Sequence, residues 1–158
     1  MRGDEPLRIG IYVPSLMGGG AERAAAVLAS GLHAEGHAVQ LLVDHATNEN
    51  RAFLDESISV AQLGASHFGS MRGLASFLRE GRTDVVLAHG GAANLKLVAA
   101  QALSGTCVPI VLSYHGRSDV GRGKLGWAGF ALAPVLSRRA AHTAVSYTHL
   151  TLPTIYSV

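Results

Sequence analysis

Apolar positions fall in short unbroken runs, and between the runs they recur every three or four residues. The two patterns take turns along the chain. Arg8-Ile9-Gly10-Ile11-Tyr12-Val13 ends at Pro14 and reads as a buried strand. Gly18, Gly19 and Gly20 follow, and Ala21 to Ala34 then carries Ala24, Val27, Leu28, Gly31 and Leu32 at helical spacing. Gly36 stands where a left-handed helix stop is expected. Val39 to Val43 reads as a second strand with Asp44 at its end, Asn48 to Glu56 as a polar loop, and Ile58 to Leu63 as a third strand. Met71, Leu74, Ala75 and Leu78 make an amphipathic helix. Asp84 to Ala88 is a fourth strand leading into His89-Gly90-Gly91. Leu95, Val98, Ala99 and Ala102 mark a helix closed by Gly105, and Val108 to Ser113 is a fifth strand leading into Tyr114-His115-Gly116.

Continuous apolar strands are buried on both faces, as in a parallel sheet covered by helices. The pattern predicts an α/β fold: a Rossmann-like, doubly wound parallel sheet. Ligands of such folds bind beyond the carboxyl ends of the strands. Those ends carry Ser15 to Gly20, Asp44, His89 to Gly91 and Tyr114 to Arg117.

Composition narrows the class. Of 158 residues, 48% are hydrophobic and 15% charged, the reverse of a disordered chain. A net charge of +2 lacks the concentrated positive field of a dedicated nucleic-acid binder. The single cysteine, Cys107, excludes an internal disulfide. Residues 1–7 read as a flexible N-terminus without the apolar core of a signal peptide. The longest apolar stretch, Leu125 to Leu136, contains Pro134 and is short of the roughly 20 residues a spanning helix needs. A single-core, cytoplasmic domain is expected.

The triple glycine lies between the first strand and the first helix. Glycine lets backbone approach a ligand closely, and a helix N-terminus offers N–H groups to an anion. No Gly-Lys-Ser/Thr follows, so this is not a Walker loop. Gly18-x-Gly20 fits the dinucleotide fingerprint, but Arg23 occupies its third glycine position. Glu22 favours the helix dipole, whereas Arg23 opposes it and is a candidate to face an anionic ligand.

Gly18-Gly19-Gly20-Ala21-Glu22-Arg23 before an alanine-rich helix resembles the N-terminal, acceptor-side domain of family 4 glycosyltransferases of the GT-B type. Gly36-His37-Ala38-Val39 and Ser113-Tyr114-His115-Gly116 are similar to that family's segments in order and spacing. The resemblance covers about Leu7 to Ser146. It implies retaining transfer of a sugar from a nucleotide-sugar donor to a glycan, lipid-linked or small-molecule acceptor, in a cleft between two Rossmann-like domains. It also implies that Gly18, Gly19 and Gly20 border the donor phosphates and that His115 contacts the sugar at the reaction centre. Glu22, Arg23, His89, Asn94 and Arg117 complete the expected donor or acceptor contacts. No cofactor beyond the nucleotide-sugar is implied.

Eight histidines raise a metal reading, but His33 and His37 straddle Gly36 and no cysteine or carboxylate cluster joins them. No metal site is expected. His115 alternatively reads as a loop histidine satisfied by backbone. Arg117, Arg122 and Lys124 precede Leu125-Gly126-Trp127-Ala128-Gly129-Phe130. This segment suits contact with the inner face of an anionic membrane, a charged acceptor, or plain core packing. A second functional class stays open: Asp44 ends the second strand, where the ribose-binding carboxylate of an NAD-type oxidoreductase would stand.

The ten residues Val145 to Thr154, Val-Ser-Tyr-Thr-His-Leu-Thr-Leu-Pro-Thr, are similar to a translated sequencing-library adapter, a transposase end. The expected organisation is therefore a flexible 1–7, a glycosyltransferase 4-like domain over 8–146 and an adapter-derived tail over 147–158. A missing C-terminal, donor-binding domain would leave this fragment inactive alone.

Overall fold

The computed structural model describes residues 5–47, 49–115 and 123–145. Six strands, all parallel, form one sheet in the order β3-β2-β1-β4-β5-β6. They are β1 (Arg8–Ser15), β2 (Ala38–His45), β3 (Ser59–Gln62), β4 (Val85–His89), β5 (Ile110–Tyr114) and β6 (His142–Val145). The helices are α1 (Gly20–Ala34), α2 (His67–Arg79), α3 (Gly91–Ser104), α4 (Lys124–Ala131) and α5 (Ala133–Leu136), with a 3-10 turn at Arg51–Phe53. The predicted Rossmann-like, doubly wound architecture is the observed one, and the predicted polar loop after β2 contains the 3-10 turn. No helix among the described residues is long and apolar enough to cross a membrane.

Strand alternation divides the core in two. Ile9, Ile11, Val13, Leu41 and Val43 face α1, while Tyr12, Leu42, Val86, Ala88, Ile110 and Leu112 face α2 and α3. At the amino end of the sheet, Asp84 accepts from the backbone N–H and guanidinium of Arg8, which ties the loop before β4 to the first residue of β1. Gly36 adopts φ +94° after α1, the left-handed stop expected from its position.

Two helices bury faces other than those the apolar pattern suggests. In α1 the buried positions are Glu22, Ala25, Ala26 and Ala29, while Val27 and Leu28 point outward. The spacing is helical, but the inward face consists of the smallest side chains. Alanine lets the helix axis approach the sheet, and larger residues on that face would hold it away. In α3, Ala93, Leu97 and Ala100 face the core, with Leu95 and Val98 only half buried at its margin. Packed between α2, α4 and the sheet, α3 also buries Asn94 and Lys96.

The predicted apolar stretch after residue 124 divides at Leu132, where α4 ends and Pro134 opens α5. Proline suits a first helical turn because its missing N–H would be unpaired there. α4 approaches the start of α3 closely: a β-carbon on Gly91 would lie 2.7 Å from the Gly126 carbonyl oxygen, and one on Gly129 would collide with the Gly91 carbonyl. This contact brings α4 beside the strand ends where ligands of the fold bind.

Candidate functional site

The carboxyl ends of β1 and β4 and the starts of α1, α3 and α4 converge on a small pocket lined by Pro14, Glu22, His89, Gly91 and Gly126. Backbone chemistry shapes its floor. Gly90, between β4 and α3, has φ +96°, a conformation open to glycine and strained for other residues. Its N–H donates to the Ser113 carbonyl, and the Asn94 side-chain amide donates to the same oxygen at 3.0 Å. The start of α3 is thereby fastened to the end of β5.

Two histidines meet above this floor. His89 is 6% exposed, and its Nδ1 lies 2.9 Å from His115 Nε2, with the rings inclined by 24°. Ser113 Oγ is 3.0 Å from the same His115 nitrogen. Burial, reinforced by His115, pushes the His89 pKa down to about 4, so His89 is neutral at pH 7. Its Nε2 is buried and has no hydrogen-bond partner among the described residues. Glu22, 2% exposed, enters the same pocket from the first turn of α1.

The glycine loop is stitched to the segment after β2. Gly18 N–H donates to Glu49 Oε2 at 2.6 Å, Leu16 N–H to Thr47 Oγ1, and Asn50 Nδ2 to the Met17 carbonyl. Gly19 N–H turns back to the Met17 carbonyl. The first intrahelical bond runs from Arg23 N–H to the Gly19 carbonyl. The N–H groups of Gly20 and Ala21 thus stand at the open, positive end of α1.

Of the residues singled out by sequence, Glu22, His89, Asn94 and His115 gather around the ends of β4 and β5, with Gly18, Gly19 and Gly20 at the neighbouring start of α1. Arg23 lies apart, its guanidinium 4.2 Å above the Phe53 ring. Arg117 and Arg122 lie outside the described residues. His33 bonds Ser57, and His37 accepts from Leu7 N–H, so the two have separate partners.

Asp44 is part of a different constellation. It is 3% exposed, accepts from the Tyr12 hydroxyl at 2.8 Å, and pairs with Lys96 Nζ at 2.5 Å. Ser70 Oγ accepts from the same ammonium. Both carboxylate oxygens are engaged inside the α2–α3 face of the core. Burial and the Asp44 charge together push the Tyr12 phenol pKa well above its ordinary value.

Sequence reasoning passed over Thr47, Glu49, Asn50, Ser113 and Lys96. Lys96 carried a usable signal, being the one charged residue in the otherwise uncharged Gly91–Ser104 segment. Thr47, Glu49 and Asn50 act through loop geometry, and Ser113 through the pairing at the end of β5, neither of which residue spacing encodes.

Comparison with known proteins agrees with the fold. The glycosyl transferase 4-like domain family matches residues 19–151. No curated protein matches the chain. Among solved structures, MurG of Acinetobacter baumannii superposes with a TM-score of 0.68 at 20% identity, covering 95% of this chain and 44% of that one. Anabaena HepE, solved in complex with UDP and glucose, gives 0.63 at 17% identity, covering 87% and 37%. The chain spans less than half the length of either structure. Its parallel sheet shares the Rossmann-like fold of these GT-B structures, and the chain belongs to the glycosyl transferase 4-like domain family.

Proposed function

We propose that this chain is the acceptor-side half of a retaining glycosyltransferase that uses a nucleotide-sugar donor. The observation that carries the reading is the pocket at the ends of β1 and β4, lined by Glu22 and His89 beside the start of α1, with His115 bonded to His89. His115 contacts the sugar at the reaction centre, with His89 and Asn94 behind it. Gly18, Gly19 and Gly20 border the donor phosphates, where the open N–H groups of α1 favour negative charge. Arg23 and Arg117 are further proposed contacts to the anionic donor or acceptor. HepE, solved with UDP and glucose, supports a nucleoside diphosphate sugar as the donor class.

The oxidoreductase reading loses its principal support. A ribose-binding carboxylate must be available to ligand hydroxyls, and both Asp44 oxygens are committed to Tyr12 and Lys96. The experiment is to read the genomic DNA beyond Ala144, express the whole protein, and titrate it calorimetrically with UDP, UDP-glucose and NAD. Saturable binding of UDP or UDP-glucose but not NAD is expected. Binding of NAD alone would overturn the proposal.

In this proposal the tail from 147 onward is adapter-derived, and the 158-residue chain, which spans less than half the length of MurG or HepE, is inactive by itself. Clear sugar transfer by this chain would refute that. A peripheral membrane contact through the segment from Arg117 to Phe130, extended to α5, is part of the same proposal. Trp127 is 61% exposed and Val135 58%, beside Lys124, Arg138 and Arg139, and residues 124–145 contain no Asp or Glu. Co-sedimentation with phosphatidylglycerol vesicles but not with phosphatidylcholine vesicles is expected; equal sedimentation with both would remove this element.

A further inference from the structure

His89 makes no contact with the expected sugar in the reading above, yet it is buried in the wall of the pocket and bonded to the residue that does. Its ring is neutral at pH 7, so one of its two nitrogens carries the single proton. The same holds for any neutral imidazole facing it. The 2.9 Å contact between His89 Nδ1 and His115 Nε2 therefore has two possible polarities.

In the first polarity, His115 Nε2–H donates to His89 Nδ1. The His89 proton must then sit on Nε2, a buried N–H with no acceptor among the described residues. In the second, His89 Nδ1–H donates to His115 Nε2, and His89 Nε2 is left as a bare lone pair. An orphaned buried N–H is the rarer and more costly defect, whereas an under-used acceptor is better tolerated. Ser113 Oγ, 3.0 Å from His115 Nε2, does not decide between them, since a hydroxyl can donate or accept. The second polarity wins on the burial of His89 Nε2.

We propose that His89 is a positioning residue for His115: its Nδ1–H donates to His115 Nε2 and holds the His115 imidazole in the Nδ1–H tautomer. The tautomer is a property of this chain by itself. Its functional meaning rests on the sugar-contact reading of His115: Nδ1 of His115 then carries a proton and is a donor rather than a basic nitrogen. The near-parallel rings and the Ser113 contact fix the orientation of the His115 ring.

The test is ¹⁵N NMR of the histidine rings in the uniformly labelled chain at pH 7. A ¹⁵N–¹⁵N coupling across the hydrogen bond is expected, with the proton directly attached to His89 Nδ1 and His115 in the Nδ1–H form. Absence of the coupling, or a proton attached to His115 Nε2, overturns the proposal without any variant. In His89→Phe, His115 is expected to move to the Nε2–H form and donate to Ser113. In His89→Asn, whose amide nitrogen takes the place of Nδ1, it should remain Nδ1–H. A folded His89→Phe in which His115 stays Nδ1–H also overturns it. The spectra need no substrate, so a failed glycosyl-transfer assay leaves the tautomer result standing. Conversely, a full-length transferase with His115 protonated on Nε2 would remove the positioning role and not the transfer.

Discussion

At the scale of single residues, His89 links stability to pH. Its pKa is lowered from 6.5 to about 4 by burial and by His115, and Glu22 is the acidic side chain lining the same pocket. The unfolded chain therefore binds more protons than the folded one between those values. Stability rises with pH through this window, is fully present above pH 6.5, and is lost as pH falls toward 4. A shift of this size corresponds to about 3 kcal/mol. Urea unfolding at pH 7 and pH 4.5 is expected to show a loss approaching that magnitude, and His89→Phe should flatten the dependence. An unchanged slope in the variant would show that another group is responsible.

Two contacts between elements carry opposite lessons about substitution. Lys96 of α3 and Asp44 of β2 form a buried pair whose remaining capacity is taken by Ser70 and Tyr12. Removing one charge leaves the other buried and uncompensated, so Lys96→Ala is expected to cost about 3–5 kcal/mol in chemical denaturation. Replacing both partners by apolar residues, Lys96→Met with Asp44→Leu, should recover most of that loss. A mild single variant would mean that water reaches the pair. At the α3–α4 contact, Gly129→Ala drives a methyl into the Gly91 carbonyl and should destabilise by about 1–3 kcal/mol. Gly31→Ala, inside α1 with no atom within 4 Å of the new β-carbon, should stabilise by about 0.5–1 kcal/mol. Reversal of either sign in urea melts would contradict the packing described for that helix.

For the molecule as a whole, the last described strand pairs with β5 through Val145, the first residue of the adapter-like match and two residues before the proposed tail at 147. A chain ending at Ser146 is expected to melt at the same temperature as the 158-residue chain; a drop of several degrees would show that the tail contributes to the fold. Much of the architecture was legible beforehand. Glycine stops and continuous apolar runs located the first five strands to within a residue or two, because a strand buried on both faces leaves little freedom in its composition. The inward face of α1 was not legible, since the pattern weights large apolar residues and close packing on a sheet selects small ones. Asp44 carried a false signal for the same kind of reason: its place at a strand end was correct, but its partners come from β1 and α3, 32 and 52 residues away.

The sequence by itself determined the alternation of strands and helices, the glycine-rich start of α1 and the kind of ligand crevice such a sheet offers. These follow from local periodicity and from conformations that favour glycine. Only the tertiary structure decided that His89 and His115 share a hydrogen bond, that Asp44 serves the core, and that Arg23 rests on Phe53. Those outcomes depend on which side chains the crossovers of a parallel sheet bring within bonding distance, and chain spacing does not encode that.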